Sequence, residues 1–319
     1  MKILFLYSSP IYKFNLKNLY SYFKLHNHTI DCIENIEEIP KRDIKKYNLI
    51  ISNQAWWNLE YEIGQQALKL KIPHITIEHG LPMFYQSNRQ YYRRTIGNAD
   101  VKLLWSKYNF DMMKIYKCPS EKLFITGYPR FDNLLKYKSI TNSKPKILFL
   151  STWKISGDIK TVWKKVVEQA KILNFDLLVK PHPMEEKRGS FLDPQSIPDS
   201  VNIIHENNLF KYIAEADLVI TSPTSTLIPI FYYKKPVFSY YPLFMKNYFK
   251  GMYRFYRKFK IPHSNLVQKF DLEKLLALQV DKELYNQYFK YTSYKDDGNN
   301  TKRVYNFCLK FVDEYERKN

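Results

Sequence analysis

Short apolar runs alternate with helical patterns along most of the chain. Ten runs predict strands, at residues 2–7, 48–52, 74–77, 102–105, 123–126, 146–151, 175–179, 202–204, 217–221 and 236–239. Helical spacing of apolar residues occurs between several of them, at 60–70, 107–117, 159–173 and 207–215. Apolar strands separated by helices of about 10–15 residues are typical of parallel sheets built from βαβ units. The pattern therefore predicts an α/β protein.

A near-repeat indicates that this pattern occurs twice. KILFLYSS at 2–9 and KPKILFLSTW at 144–153 each have a basic residue, an apolar run and then small polar residues. The polar stretch 136–146 overlaps the second copy and breaks the periodicity. We predict two Rossmann-like domains that face each other across a cleft. The predicted division is 1–140, 141–290 and a C-terminal helix at 291–319.

Composition excludes several classes of protein. The chain has 319 residues, of which 45% are apolar and 17% aromatic, so it can bury two cores. With only 8 glycines and neither GxGxxG nor GxxxxGK[ST], it has no dinucleotide fingerprint and no P-loop. The three cysteines, far apart, predict neither a disulfide framework nor a zinc site, and favour a reducing cytoplasm. No apolar run approaches the roughly 18 residues of a membrane span.

The net charge indicates which classes of binding partner the chain attracts. Lys and Arg number 50 against 31 Asp and Glu, a formal charge of +19. Such a chain is attracted to phosphates of nucleic acid, of anionic lipid or of a phosphorylated substrate. A lysine-rich background composition would also produce part of this surplus, so charge alone does not choose among them.

Loops after three strands of the second half have groups that suit a diphosphate. They contain Thr152 after the first strand, Lys180 and His182 in Lys180-Pro181-His182-Pro183 after the second, and Ser222, Ser225 and Thr226 after the third. Lysine, hydroxyls and the amides of a helix start all bind phosphate. Proline on each side restricts the backbone of His182. A rigid turn that only ends a strand is the alternative.

A histidine loop follows one strand of the first half. Strand 74–77 runs into Glu78-His79-Gly80, and imidazole titrates near neutral pH, so His79 is a candidate general base. A histidine that only caps a turn is the alternative.

Arginines occur in two further segments of this half. In the stretch 127–132 we predict a structural salt bridge between Arg130 and Asp132. Arg89 and Arg93, four residues apart, would share one helix face, towards either an anionic substrate or solvent.

The order of these motifs resembles that of a known enzyme family over roughly residues 48–240. The matching elements are His79-Gly80, Gly127 to Asp132, the strand with Ser/Thr-Trp at 147–153, Lys180 to Pro183, Asp217 to Thr221 with Ser222, Ser225 and Thr226, and Lys235-Pro236. Together they resemble the GT-B superfamily and, within it, the CDP-glycerol glycerophosphotransferase group of teichoic-acid and capsule enzymes.

That resemblance implies an inverting transferase with an acceptor-side first domain and a nucleotide-donor second domain. It places the base at His79, a donor-phosphate contact at His182 and the diphosphate at Ser222, Ser225 and Thr226. From their positions we expect Thr152 and Lys180 to bind the donor as well, and Gly80, Arg89, Arg130 and Asp132 to support the cleft. No DxD motif occurs, so we expect no metal, and no cofactor besides the activated donor.

The loop after the strand 217–221 departs from the family pattern. The family usually has Asp-Tyr-Ser-Ser there and an acidic residue soon after, whereas this chain has Ser-Pro-Thr-Ser-Thr without a following carboxylate. CDP-glycerol, another CDP-alditol, a CMP-sugar and a UDP-sugar all stay open as donors.

A basic aromatic segment occupies residues 241–262. Lys246, Lys250, Arg254 and Arg257 recur at spacings of three or four among many aromatic residues. This is typical of a helix in the interface of an anionic membrane, although packing on its own domain is the alternative. We expect a cytoplasmic enzyme, peripheral on the inner face of the cell membrane.

The predicted function is transfer of glycerol phosphate, an alditol phosphate or a sugar to a cell-surface polysaccharide or lipid-linked acceptor. An enzyme like UDP-N-acetylglucosamine 2-epimerase, which shares the fold, is one alternative. A non-catalytic nucleic-acid-binding protein is another, with aromatic residues stacking on bases. Since no nucleic-acid-binding motif occurs, we expect no nucleic-acid partner. A catalytically inactive carbohydrate-binding relative is the third.

Overall fold

Two compact units make up the chain. In a computed structural model, the structure describes residues 1–7, 10–34, 43–53, 58–80, 99–115, 117–151, 157–182, 198, 201–205, 208–222, 225–240, 263–264 and 270–318. The first unit is Met1–Leu135 with Lys290–Asn319, and the second is Lys136–Phe289. The C-terminal residues, which the sequence analysis set apart as a separate helix, thus belong to the first unit.

The first unit contains a parallel sheet of six strands in its described part. Its elements are β1 Lys2–Leu6, α1 Pro10–Leu25, β2 Thr29–Ile33, β3 Leu49–Ser52, α2 Asn58–Leu70, β4 His74–Ile77, β5 Val101–Leu104, α3 Lys107–Ile115, β6 Leu123–Ile125 and, near the C-terminus, α9 Asn300–Lys318. Short 3-10 turns lie at Ile44–Lys46, Ser120–Lys122 and Pro129–Lys136. The strand order is β2-β1-β3-β4-β5-β6, and every pairing is parallel.

The second unit repeats this plan. Its elements are β7 Lys146–Leu150, α4 Gly157–Ile172, β8 Asp176–Lys180, β9 Val201–Ile203, α5 Leu209–Glu215, β10 Leu218–Thr221, α6 Leu227–Tyr232, β11 Val237–Tyr240, β12 His263–Ser264, α7 Leu272–Leu276 and α8 Lys282–Thr292, whose last turn enters the first unit. The strand order is β12-β11-β10-β7-β8-β9, again parallel throughout the described strands.

The same pentapeptide, KILFL, forms a central strand in each unit. In both β1 and β7 the last four residues are buried, and each strand pairs on both sides. A parallel strand covered on both faces is apolar at nearly every position, which is why the runs stand out in the sequence. All ten predicted strands are present, each within one residue of its predicted ends.

The strands that the sequence pattern missed lie at sheet edges. β2 reads TIDCI and has only one fully buried residue, Ile33, while β12 has two residues. An edge strand faces solvent along one side, so its sequence need not be continuously apolar.

Residues 126–132 join the C-terminal helix to the first unit. The carboxylate of Asp132 accepts the backbone N–H groups of Asn300 at 2.8 Å and Thr301 at 2.7 Å, and so caps α9. Gly127 has φ +82°, and a Cβ there would lie 1.9 Å from Asn300 Oδ1, so the turn requires glycine. Asp132 therefore caps a helix instead of forming the salt bridge with Arg130 that the sequence predicted.

Candidate functional site

A buried ion pair lies at the carboxyl end of β4. The parallel register pairs Thr76 with Lys102 of β5, and Glu78, two residues further on, lies on the same face as Thr76. Glu78 Oε2 is 3.1 Å from Lys102 Nζ, and the two side chains are only 5% and 2% exposed. Neither residue was singled out by the sequence analysis.

His79 contacts the other oxygen of this carboxylate. Its backbone N–H donates to Glu78 Oε1 at 3.0 Å, and its ring Nδ1 lies 3.2 Å from the same oxygen. Burial by itself raises the pKa of Glu78, but the Lys102 charge and the contacts with His79 outweigh burial and lower that pKa to about 2. An ionised carboxylate therefore lies beside the His79 imidazole at neutral pH.

Neighbouring elements hold the backbone of this loop. The Asn109 side chain, at the start of α3, donates to the Gly80 carbonyl at 3.2 Å. The indole N–H of Trp105 donates to the Glu78 carbonyl. Since both backbone carbonyls that flank His79 accept hydrogen bonds, the position of the histidine is set on both sides.

Arg130 lies at the same edge of the sheet, in the loop after β6, two strands away from β4. It follows Tyr128, which is buried and whose ring stacks on Trp105 with 4.1 Å between ring centroids. Arg130 Nη1 donates to Asn15 Oδ1 at 3.5 Å, and burial lowers the pKa of the guanidinium. Arg130 thus adds a half-buried cation to the carboxyl edge of the first sheet.

In the second unit, three neighbouring strands end in the loops that the sequence singled out. β10, β7 and β8 are adjacent in the sheet, and their register places Thr221, Leu150 and Lys180 at one level. The backbone N–H of His182 donates to Ser151 Oγ at 3.0 Å. This bond adds to the restriction from Pro181, which is also buried, so the histidine backbone is held between two strand ends.

Lys180 and His182 place two basic side chains in this edge. Lys180 is buried at 9% exposure. Burial first, and then the charge of Lys180, lower the pKa of His182 to about 4. The imidazole is therefore neutral at neutral pH and can offer an N–H to a phosphate, while Lys180 supplies positive charge.

The hydroxyl loop after β10 lies at the same edge. Ser222 is buried, and its carbonyl accepts the Thr221 hydroxyl at 3.1 Å. Ser225 and Thr226 are half-buried and begin the turn into α6, where their carbonyls accept the N–H groups of Ile228 and Ile230. The structure thus brings the ends of the serine loop and the lysine-histidine loop to one edge of one sheet.

Several predicted site residues lie outside the described part of the chain. They are Arg89 of the first unit, Thr152 of the second, and the basic residues Lys246, Lys250, Arg254 and Arg257. Ser151, next to Thr152, is described and contacts His182. Lys102 is a functional candidate that the sequence pattern did not identify. It could have been noticed because a lysine is rare within a strand that is predicted to be buried.

Neither a metal site nor a membrane span occurs among the described residues. Within them, no group of three or more His, Cys, Asp and Glu side chains could hold a metal ion. No described helix has both the length and the hydropathy needed to cross a membrane.

Two parallel α/β units with polar loops at their carboxyl edges define the GT-B class, and solved structures share this fold. The wall teichoic acid polymerase TagF is 15% identical, with a TM-score of 0.67 over 98% of this chain and 89% of that one. UDP-GlcNAc 2-epimerase from Neisseria meningitidis is 14% identical, with a TM-score of 0.65 over 97% and 100%. S. aureus MnaA, in a co-structure with UDP, is 14% identical, with a TM-score of 0.68 over 98% and 97%. At such identities these likenesses establish the fold alone.

The family match separates the transferases from the epimerases. The model of the family described as CDP-Glycerol:Poly(glycerophosphate) glycerophosphotransferase matches residues 12–310. The chain belongs to this family, and it is a transferase of the GT-B type for nucleotide-activated donors. A search of curated proteins finds no match.

Proposed function

We propose that this protein transfers glycerol phosphate from CDP-glycerol to a cell-surface polysaccharide or a lipid-linked acceptor of the teichoic-acid or capsule type. The observation that carries the proposal is the family match over residues 12–310. Support for the donor comes from a structure of the TagF polymerase soaked with CDPG, to which this chain is 14% identical.

The second unit would hold the diphosphate of the donor. Lys180 offers a buried positive charge, and His182 offers a neutral imidazole on a backbone held by Ser151. Hydroxyls of Ser222, Ser225 and Thr226, with Thr152, would complete the set. Such groups stabilise charge that develops on the departing nucleotide phosphate.

The first unit would activate the acceptor. In the proposed step the acceptor hydroxyl attacks the phosphorus next to glycerol, the bond from that phosphorus to the bridging oxygen breaks, and CMP leaves. The hydroxyl proton passes to His79, which acts as general base. The carboxylate of Glu78 beside the ring would stabilise the imidazolium that forms.

The basic segment 241–262 would contact an anionic membrane surface, because basic and aromatic side chains alternate along it. This contact would keep the enzyme on the inner face of the membrane, where a lipid-linked acceptor is presented.

Calorimetric titration with CDP, CMP, UDP and GDP tests the donor assignment. We expect a cytidine nucleotide to bind best. His182→Ala should weaken that binding by about 10–100-fold, the value of a hydrogen bond to a charged group. His205→Ala is the matched control, because His205 is exposed at the end of the neighbouring strand β9.

Preference for UDP would contradict a CDP-linked donor and favour UDP-sugar or epimerase chemistry. Failure of all four nucleotides to bind would contradict the proposed function as a whole.

A further inference from the structure

We propose that Glu78 and Lys102 form a positioning pair that sets the tautomer of His79, so that Nδ1 carries the proton and Nε2 is the basic atom. This inference rests on the proposed role of His79 as the base. Neither residue is assigned to the donor or to the acceptor.

The first step of the argument is the geometry of the carboxylate. Its two oxygens have different partners, since Oε2 lies 3.1 Å from Lys102 Nζ and Oε1 accepts the His79 backbone N–H at 3.0 Å. The carboxylate cannot turn without breaking one of these contacts. Its Oε1 is therefore kept 3.2 Å from the imidazole Nδ1.

The second step is the cost of burying this pair. Glu78 and Lys102 lie almost wholly inside the first unit, where removing two charges from water is costly and an apolar pair of similar shape would often be as stable. Stability alone is thus a poor reason for the pair. Its position at the carboxyl end of β4, the ligand-binding edge of such sheets, gives it a different use.

The third step is the chemistry of the ring. A carboxylate at Nδ1 favours the tautomer with the proton on Nδ1 and stabilises the imidazolium, as an acidic residue does in catalytic triads. In the step proposed above, the hydroxyl proton moves to Nε2 while Nδ1 keeps its own proton. Glu78 stays ionised throughout, because Lys102 compensates its charge.

The test removes both charges and preserves the shape of the pair. Glu78→Gln alone would leave Lys102 buried without its counter-charge, so the informative variant is Glu78→Gln/Lys102→Met. The matched control is Lys144→Met/Asp176→Asn, which neutralises an ion pair of the second unit whose side chains are both 42% exposed.

Nitrogen NMR of protein labelled at histidine reports the tautomer directly. His79→Ala identifies the signals of His79 by their disappearance. We expect the Nδ1–H tautomer in the wild type and in the control, and a mixture with Nε2–H in the double variant. Turnover of CDP-glycerol with a lipid-linked glycerol phosphate primer should fall in kcat by about tenfold or more, with the donor KM unchanged.

Wild-type tautomer and wild-type kcat in the double variant would overturn the positioning pair, while an inactive His79→Ala would leave the proposed base in place. Wild-type turnover in His79→Ala would instead contradict the proposed base. The NMR measurement needs no substrate, so it supports or overturns the tautomer assignment in either case.

Discussion

The carboxyl edges of the two sheets differ in charge although each sheet contains an interior strand of the same sequence, KILFL. At the end of β4 in the first sheet, the carboxylate of Glu78 lies between Lys102 and His79, so the charges of Glu78 and Lys102 compensate each other, while the cation of Arg130 lies after β6. At the described ends of β7, β8 and β10, the second edge has Lys180 and His182 with hydroxyls and no carboxylate. The shared scaffold thus has two electrostatically different edges, and the residues that follow the strands decide the difference.

The contrast has an electrostatic consequence. At the first edge, the Glu78 carboxylate would stabilise the imidazolium that forms when His79 takes up a proton, which suits a base. An uncompensated basic edge attracts an anion, which suits a nucleotide diphosphate. The following three predictions test this division of roles.

Removal of the His79 imidazole from the first edge should have the largest effect on turnover. His79→Ala should lower kcat by about 10²–10⁴-fold, the usual contribution of a general base. Affinity for the cytidine nucleotide should not change, because the donor contacts are assigned to the second unit. Steady-state kinetics together with calorimetry check both parts.

His26→Ala is the control for this variant, since His26 is exposed and in the same unit. Loss of nucleotide affinity in His79→Ala would contradict the separation of roles between the two edges.

Breaking the ion pair should cost stability in the first unit. Lys102→Met leaves the Glu78 carboxylate buried without its counter-charge, which costs about 3–5 kcal/mol in the free energy of unfolding. Urea unfolding followed by circular dichroism measures this, and adding Glu78→Gln should recover most of the loss. Lys107→Met removes an exposed pair with Asp111 and should leave the urea midpoint almost unchanged, because solvent screens that pair.

An equal urea midpoint for Lys102→Met and wild type would show that Glu78 has another source of compensation, and the contrast between the edges would weaken.

Acid should destabilise the second edge before the first. The pKa of His182 in the native protein is lowered to about 4. Between about pH 6.5 and pH 4 the unfolded chain therefore binds a proton that the native protein does not, and the protein becomes less stable as the pH falls. The pKa of Glu78 is lowered to about 2, so the stability it contributes is present above about pH 4.3 and is lost as pH falls towards 2.

Thermal unfolding between pH 7 and 3 resolves these two windows. His182→Ala should reduce the slope in the upper window only, and Glu78→Gln/Lys102→Met in the lower one only. An unchanged slope in His182→Ala would show that the imidazole has the same pKa in the native and the unfolded protein, and would contradict the lowered pKa.

Local sequence predicted much of the fold and part of the site. The strands could be predicted because parallel strands are buried on both faces, so their residues are apolar at nearly every position. His79, Lys180 and His182 could be read because they follow such strands directly, and strand ends are where ligands bind. The partners of these residues could not be read in the same way.

What the sequence by itself determined is therefore the number and kind of strands and the chemistry of the loops after them. Tertiary structure alone decided the pairing of Glu78 with Lys102, because it depends on the register between β4 and β5. It also decided that Asp132 caps α9 and draws the C-terminal residues into the first unit. Both contacts join residues far apart along the chain, and local hydrophobic patterns carry no information about which distant polar group will meet a buried charge.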